Sequence, residues 1–284
     1  MSILQSAFLG FLQGICEFIP VSSSGHLLLA RLLLGIDTET PAMKMLDILL
    51  HVGTLVPVLV IFWKDWIQML LHPIKNKTLL LLFAASVPTL AVYVAAKELL
   101  PEVNGFAVFD NGWFLGVSFL ITAAFLLICD YAGKTASKQR VGFGTAVVMG
   151  LFQGIGMIPG VSRSGSTMTG GVLTGVRKDT VAKFSFMMSA PAILGSMLME
   201  GKDAIEEGYI HDIELLPTLV GIAVACAAGF FAIKWMLKII STVPLGYFSL
   251  YLAVLGVAYL TMQLLGSPLL PPFAVPSAMT VPAV

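Results

Sequence analysis

The sequence predicts an all-α polytopic membrane protein built as an inverted-topology repeat. Three observations predict this fold class. Of the 284 residues, 57% are hydrophobic and only 11% are charged, several apolar stretches are long enough to cross a bilayer, and two Ser- and Gly-rich breaks recur at a fixed distance. Soluble proteins carry about 25% charged residues, so an ordinary soluble enzyme is excluded. Each half is expected to contain one re-entrant helical hairpin followed by three transmembrane helices.

The charged residues and the cysteines narrow the function classes. Lys and Arg number 16 and Asp and Glu number 16, so the chain has no basic excess with which to bind nucleic acid nonspecifically. Three cysteines, Cys16, Cys129 and Cys226, lie far apart in apolar stretches, which is typical of packing residues. No nucleic-acid partner and no cysteine metal site are expected.

The apolar stretches define the predicted elements, because roughly 17 to 23 apolar residues cross the hydrocarbon core as a helix. The predicted spans are 46–63, 78–97, 113–131, 184–200, 215–234 and 245–265. Two further apolar regions, 2–36 and 142–176, are each interrupted midway by Pro, Gly and Ser. Neither half of either region is long enough to be a comfortable span.

Loop charges predict the orientation, because short cytoplasmic loops carry an excess of Lys and Arg. The basic loops, expected in the cytoplasm, are 64–77, 132–141 and 234–243. The acidic loops, expected outside, are 98–112 and 200–214. Region 142–176 has Lys and Arg on both sides, so it should enter from the cytoplasm, turn at its break and return. Region 2–36 should do the same from the outer face.

An internal repeat agrees with this layout. The segment 13–15, Gln-Gly-Ile, recurs at 153–155, and four of the five residues at 21–25 recur at 161–165. Both pairs are separated by the same 140 residues. One hairpin and three spans make an odd number of crossings, so the second half should lie upside down relative to the first. The two breaks are then expected to meet near the bilayer midplane.

The repeat also predicts the domain organisation. One membrane domain is expected over 1–265, with repeats at about 1–131 and 142–265. The run 266–284 contains five prolines and no charge, so a mobile tail is expected there. The N-terminus lacks the basic start of a cleavable signal peptide, so Met1 is expected to begin the mature chain.

Chemistry is expected at the two breaks, since non-helical backbone at membrane depth is tolerated only where it lines an enclosed or watery cavity. Glu17 follows Gln13 by four residues, so both face one side of the helix that leads to the first break. Ser22, Ser23 and Ser24 then stand at the start of the next helix, whose free N–H groups suit an anion such as phosphate.

Two further side chains complete the predicted site. His26 lies three residues after Ser23, close enough on the first turn to hydrogen-bond a nucleophile or to exchange a proton. In the second break, Arg163 supplies a planar, permanently charged fork suited to phosphate oxygens. The helix that restarts near Ser164 offers a second set of free N–H groups.

Other polar residues have simpler interpretations. Arg31 is expected to snorkel toward the outer headgroups. His51, His72 and His211 sit at segment edges without a partner in sequence, and they are interpreted as interfacial. The methionines, Met187 among them, are interpreted as packing residues.

The two breaks carry a family resemblance. Residues 17–26, Glu-Phe-Ile-Pro-Val-Ser-Ser-Ser-Gly-His, and 159–167, Pro-Gly-Val-Ser-Arg-Ser-Gly-Ser-Thr, closely resemble the two signature motifs of the bacterial undecaprenyl-diphosphate phosphatase family, the bacitracin-resistance type. The resemblance extends over the chain up to about Leu265. Gln13 departs from it, because many relatives carry a second glutamate there, and Glu17 is left as the main anionic ligand.

The resemblance implies a lipid diphosphatase that removes the terminal phosphate of the C55 carrier and recycles it for peptidoglycan synthesis. It implies a divalent cation, Mg²⁺ or Ca²⁺, held by Glu17, while Arg163 neutralises the diphosphate. Ser23 is expected to attack the terminal phosphorus with His26 as base or acid, and direct attack by water activated by His26 is the alternative. The remaining expected phosphate ligands are Gln13, Ser22, Ser24, Ser162, Ser164 and Thr167.

The implied partners are a prenyl diphosphate lipid substrate and membrane lipid, and a homodimer is compatible with the sequence. The implied location is the bacterial cytoplasmic (inner) membrane, with the active site opening to the extracytoplasmic side. An inverted-repeat transporter or flippase of an anionic or lipid-phosphate substrate is the alternative function, since such carriers share the broken helices. Glu17, Ser23 and His26 favour the enzyme, because a carrier does not need a nucleophile, a base and a metal-binding carboxylate side by side.

Overall fold

A computed structural model describes residues 1–36, 40–99, 112–206 and 214–271, and these residues form eleven α-helices. The helices are α1 (Ile3–Phe18), α2 (Ser23–Leu34), α3 (Pro41–Ile61), α4 (Trp63–Leu71), α5 (Lys77–Leu99), α6 (Leu115–Gly133), α7 (Phe143–Ile155), α8 (Arg163–Leu173), α9 (Lys178–Glu206), α10 (Leu215–Ile239) and α11 (Gly246–Leu264). Most of the predicted loop 98–112, about half of the loop 200–214 and most of the tail 266–284 lie outside the described residues.

Six of these helices are long and apolar enough to cross a membrane. The apolar segments are Met43–Ile61, Lys77–Ala96, Leu115–Gly133, Lys178–Met199, Leu215–Ile239 and Gly246–Leu264. Each coincides with one predicted span, so the all-α polytopic fold class is confirmed. The largest shift is at α9, which begins at Lys178, before the predicted span. The ammonium of Lys178 is paired with Asp130 at this end of the helix.

Local sequence explains why the first apolar region is broken. The α1 helix ends at Phe18, and Ile19 is extended (ψ 136°) because a residue before proline is disfavoured in the helical conformation. The α2 helix begins at Ser23 and ends at Leu34, and the following Gly35 caps it in the left-handed conformation (φ 64°) that closes many helices. The result is two short helices joined by a tight turn, as the sequence predicts.

The second interrupted region returns to its starting point. The backbone N–H of Lys138 donates to the carbonyl of Gly175 at 2.9 Å, and the N–H of Arg177 donates to the carbonyl of Lys138 at 3.0 Å. Both ends of region 142–176 therefore lie together, and α7 and α8 form a hairpin between them. The side of the membrane from which this hairpin enters stays a prediction.

The first helix of each interrupted region packs closely against a long helix of the other half. A Cβ added to Gly10 on α1 would lie 2.2 Å from the carbonyl oxygen of Gly221 on α10, and a Cβ on Gly150 of α7 would lie 2.1 Å from that of Ala85 on α5. Small residues permit such close helix contacts in membranes. Positions 10 and 150 are separated by the repeat distance, so equivalent residues contact the second long helix of the opposite half. The inverted orientation of the halves stays a prediction.

One helix differs from the sequence prediction. The prediction of a loop from residue 64 onward is wrong for the first part of that segment, because α4 follows α3 directly after Phe62. The indole N–H of Trp66 on α4 donates to the carbonyl of Val58 at 3.4 Å, and Met69 on the same helix is buried. Trp63 and Leu70 remain exposed. Charges alone therefore do not mark a loop when apolar residues recur between them.

The predicted orientation can be tested by labelling single cysteines in a background without Cys16, Cys129 and Cys226. We expect cysteines near Lys138 and near Lys178 both to react only from the cytoplasm, because the hydrogen bonds between 138 and 175–177 place the two positions at the same end. Cysteines in 37–44 and 200–213 serve as the outer-face comparison and are expected to react only from outside. Reaction of the first two positions from opposite faces contradicts the hairpin.

Candidate active site

The two breaks contact each other inside the protein. Ser22 caps α2 and Ser162 caps α8, each accepting a hydrogen bond from a glycine N–H three residues later, at 3.3 and 3.1 Å. The N–H of Gly160 donates to the hydroxyl of Ser24 at 3.4 Å, which joins one break to the other. The N-termini of α2 and α8, with their partial positive charge, therefore converge on one region.

Ser22 holds an unusual backbone conformation. Among the residues that the structure describes, it is the only one other than glycine with a positive φ, at 73°. Its carbonyl accepts from the backbone N–H of His26 at 3.2 Å, so the strained turn is fixed at the start of α2. Strained backbone of this kind is concentrated at functional sites, where surrounding contacts hold it.

Glu17 is the centre of the polar contacts. One carboxylate oxygen, Oε2, accepts from the Ser23 hydroxyl at 2.6 Å and from the Gln13 amide at 3.1 Å. The other, Oε1, accepts from the guanidinium of Arg163. Glu17 is only 7% exposed, and a charge this buried requires such partners. The structure thus brings together four of the residues expected at the site: Gln13, Glu17, Ser23 and Arg163.

Arg163 extends from the first residue of α8 across the junction. Besides Glu17, its guanidinium contacts the carbonyl oxygen of Ser185 on α9 at 3.4 Å. Its side chain is 12% exposed. The guanidinium is therefore held in one orientation, with a face toward the cavity that the two breaks enclose.

His26 does not reach this cavity. Its Nδ1 lies 2.7 Å from the carbonyl oxygen of Ser22, its Nε2 lies 2.8 Å from the hydroxyl of Tyr251, and its ring packs on Phe119. The ring is turned back onto the start of its own helix. In this geometry the proton acceptor nearest to the Ser23 hydroxyl is Glu17.

The other expected phosphate ligands divide into two groups. Ser22, Ser24 and Ser162 line the cavity. Ser164 and Thr167 are fully buried beneath it. Thr167 donates to the carbonyl of Arg163 at 2.9 Å, so it supports the first turn of α8 and does not face the cavity.

Two residues at or near the site differ from the sequence interpretation. The expectation that Arg31 snorkels is wrong, because it is 3% exposed and its guanidinium pairs with Asp47 on α3. The interfacial interpretation of His51 is also wrong, since His51 lines the cavity and its Nε2 lies 3.7 Å from Oε2 of Glu17. Asp47 and His51 are one helical turn apart in an apolar helix, a spacing that indicates a shared face toward a polar cavity.

The cavity has a volume of about 260 Å³ and is lined by residues of both halves. A water molecule takes up about 30 Å³ of liquid, so the cavity holds a small polar group but not a long hydrocarbon chain. Glu17, Ser23 and His51 come from the first half, and Arg163 and Ser196 come from the second. The arrangement can therefore hold an anion between a guanidinium, two helix N-termini and a serine hydroxyl whose proton has an acceptor.

Glu17 and Gln13 carry oxygen donors of the kind that hard cations prefer. Within the part of the chain that the structure describes, no group of three or more His, Cys, Asp or Glu could hold a metal ion alone. The amide oxygen of Gln13 is buried without a hydrogen-bond partner, and the amide nitrogen of the same side chain donates to Glu17 at 3.1 Å. Two oxygen donors suit Mg²⁺ or Ca²⁺ when phosphate oxygens and water supply the remaining ligands.

Comparison with known proteins gives consistent matches across the chain. The family model "Bacitracin resistance protein BacA" matches residues 6–258. The undecaprenyl-diphosphatase of Carboxydothermus hydrogenoformans is 36% identical over 269 residues, which cover 94% of this chain and 99% of that protein. That of Halothermothrix orenii is 34% identical over 259 residues, 90% of this chain and 96% of its own length. That of Bacteroides thetaiotaomicron is 36% identical over 272 residues, which cover 93% of this chain and 100% of that protein. The residues that the family model matches include both breaks.

Proposed function

This chain belongs to the bacitracin resistance protein BacA family, and we propose that it is an undecaprenyl-diphosphatase of the membrane. It hydrolyses undecaprenyl diphosphate to undecaprenyl phosphate and inorganic phosphate, which recycles the lipid carrier for peptidoglycan synthesis and accounts for bacitracin resistance. The observation that carries this proposal is the contact of Ser23 and Arg163, one from each break, with the same carboxylate of Glu17.

The headgroup and the prenyl chain of the substrate bind in two different environments. The diphosphate occupies the cavity of about 260 Å³, where Arg163 and the N-termini of α2 and α8 neutralise its charge. The prenyl chain is too large for this cavity and lies against the apolar surfaces of the long helices. An enzyme that acts on such a lipid must reach the headgroup from within the membrane, and a polar cavity inside six apolar helices meets this need.

Catalysis begins with the Ser23 hydroxyl. Its oxygen attacks the terminal phosphorus while its proton passes to Oε2 of Glu17, 2.6 Å away. The bond between Ser23 and phosphorus forms, the bond from phosphorus to the bridging oxygen breaks, and undecaprenyl phosphate leaves. The oxygen of a water molecule then bonds to this phosphorus, the bond from phosphorus to the Ser23 oxygen breaks, and Glu17 returns its proton to that oxygen. The protons of the water leave with inorganic phosphate. Arg163 stabilises the charge on the transferred group.

Direct attack by water is the alternative route to the same products. If His26 activates this water, its ring must leave the carbonyl of Ser22 and the hydroxyl of Tyr251, which occupy both ring nitrogens. The serine route needs no such rearrangement. For this reason the geometry favours Ser23 as the nucleophile, with His26 fixing the start of α2.

We also propose that the enzyme uses a divalent cation, Mg²⁺ or Ca²⁺. Glu17 and the amide oxygen of Gln13 would hold it, and it would supply further neutralisation of the diphosphate charge when bound. The carboxylate of Glu17 already contacts Arg163, so a cation at this site must share its coordination with the substrate. Support for this assignment is the chemistry of the two oxygen donors.

The cavity is proposed to open to the extracytoplasmic side of the bacterial inner membrane. The loop charges support this orientation, since they place the ends of the first hairpin outside. Membrane lipid surrounds the six long helices. A homodimer stays a prediction of the sequence alone.

Arg163→Lys should lower kcat/KM about a hundredfold although the positive charge is kept. A lysine is a point charge and cannot contact Glu17 and a phosphate oxygen with one planar fork. Phosphate release from the prenyl diphosphate measures the effect. Arg177→Lys is the matched control, because Arg177 pairs with exposed Asp179 away from the cavity. Activity of Arg163→Lys within a few-fold of wild type contradicts the assigned role.

The enzyme and the carrier are separated by one experiment. Purified protein in detergent, where no gradient exists, is incubated with undecaprenyl diphosphate and the products are identified. We expect equal amounts of undecaprenyl phosphate and inorganic phosphate. An unchanged substrate, together with movement of the lipid across reconstituted vesicles, favours the transporter or flippase.

A further inference from the structure

His51 occupies a position in the cavity for which the proposed mechanism has no use. It lies on α3, its side chain is 30% exposed, and it faces the region between Glu17, Ser23 and Arg163. The long apolar helix that carries it is otherwise typical of a membrane span. A polar side chain in such a helix, directed at a polar cavity, indicates a functional contact.

The orientation of the His51 ring is fixed from behind. Its Nδ1 lies 2.7 Å from the carbonyl oxygen of Asp47, one turn earlier in α3. A carbonyl oxygen only accepts hydrogen bonds, so Nδ1 carries a proton and donates it. The carboxylate of Asp47 pairs with buried Arg31, which attaches this turn of α3 to α2. The remaining nitrogen, Nε2, is therefore held toward the cavity.

Nε2 of His51 makes no hydrogen bond to the protein residues that line this cavity. It lies 3.7 Å from Oε2 of Glu17, which is longer than a hydrogen bond. Arg163, Ser23 and Gln13 already donate to the two oxygens of Glu17. A charged imidazole here would face the Glu17 carboxylate and an arriving diphosphate, and both anions attract it.

His26 provides the contrast. Both of its ring nitrogens have partners within the protein, Ser22 and Tyr251, and the ring is absent from the cavity lining. His51 has one nitrogen anchored and the other directed at the space that a phosphate must fill. Of these two histidines, His51 is the one with a nitrogen available to substrate.

We propose that His51 is a substrate-binding residue whose imidazolium form, protonated on both ring nitrogens, donates from Nε2 to a phosphate oxygen, with the Asp47 carbonyl and the Arg31–Asp47 pair orienting its ring. This inference rests on the proposed function, because it concerns the diphosphate in the same cavity. The role assigned to His51 is that of a hydrogen-bond donor. It carries no proton between reaction steps.

The donor role is tested with three substitutions. His51→Gln keeps an N–H donor at similar reach, His51→Asn keeps the amide but shortens the side chain, and His51→Leu removes the donor. A hydrogen bond to a charged group contributes enough that its loss lowers kcat/KM about tenfold to a hundredfold, which we expect for Leu and Asn. For Gln we expect a value within about threefold of wild type, because its donor remains.

Two readouts accompany the rate. Phosphate release from undecaprenyl diphosphate in detergent gives kcat and KM, and inhibition by inorganic phosphate gives an affinity that does not depend on turnover. We expect phosphate inhibition to weaken with Leu and Asn in parallel with the rise in KM. The melting temperature in detergent identifies misfolding, and the Gln and Asn variants, which differ by one methylene, keep the comparison interpretable if Leu fails to fold. His72→Gln is the control, since His72 is exposed beyond α4.

The outcomes separate the two claims. If wild-type protein releases no phosphate, the proposed function fails. If the wild type is active and Asn and Leu match it, His51 does not bind the substrate and the inference is overturned. If Gln is as inactive as Leu while both are folded, a titrating ring is required and the donor role is equally overturned.

Discussion

Ser23→Ala is expected to lower turnover by roughly a thousandfold or more, because removal of an attacking group leaves only binding and charge stabilisation. The protein should still fold and bind the substrate. Glu17 keeps Arg163 and Gln13 as partners when the hydroxyl is lost, so its buried charge remains compensated. The measurement is kcat for phosphate release, with inhibition by inorganic phosphate as the test of binding.

The matched control for this substitution is Ser249→Ala. Ser249 is as buried as Ser23, and its hydroxyl donates to the carbonyl of Ala123 at 2.7 Å, away from the cavity. The Ser249→Ala variant shows how much the loss of a buried serine hydroxyl alone destabilises the protein. Substantial turnover by Ser23→Ala makes direct attack by water the preferred mechanism.

Glu17→Gln is expected to lower kcat/KM about a hundredfold or more and to weaken the dependence on Mg²⁺ or Ca²⁺. The amide is neutral, so it neither takes the proton of Ser23 nor balances Arg163, and it is a poor cation ligand. Phosphate release is measured across a cation titration. An unchanged titration shows that Glu17 is not a cation ligand, whatever the rate.

Loss of a buried charge partner also destabilises a protein, so Glu17→Gln needs a stability measurement. Breaking a buried ion pair typically costs about 3–5 kcal/mol. Asp179→Asn removes a carboxylate from an exposed pair with Arg177 and provides the comparison. A Glu17→Gln protein that is folded but inactive supports a direct role, and one that is folded and fully active contradicts it.

The long helices and the two breaks are predictable from the sequence because they depend on local features. Apolar length identifies the spans. Pro20 ends α1, and the serines Ser22 and Ser162 cap the following helices. The approach of Glu17 to Arg163 is predictable as well, since an inverted repeat is expected to bring both breaks to one depth.

The contacts of Asp47, His51 and Arg31 are not predictable in the same way, because they depend on how α3 packs against α2. Arg31 lies near the end of a short helix, where snorkelling is the usual outcome. Only the tertiary structure shows that Asp47 offers it a partner. The direction of His26 similarly depends on Tyr251, which is more than two hundred residues away in sequence.

Rapid quenching tests most directly the claim that the terminal phosphate is attacked at the junction of the two breaks. Wild-type protein in detergent is mixed with undecaprenyl diphosphate labelled in its terminal phosphate, stopped with acid at successive times, and digested to locate the label. We expect label on Ser23 that appears before inorganic phosphate accumulates, and none in Ser23→Ala. A wild-type protein that releases phosphate at its full rate but carries no label on Ser23 at any time contradicts a serine nucleophile.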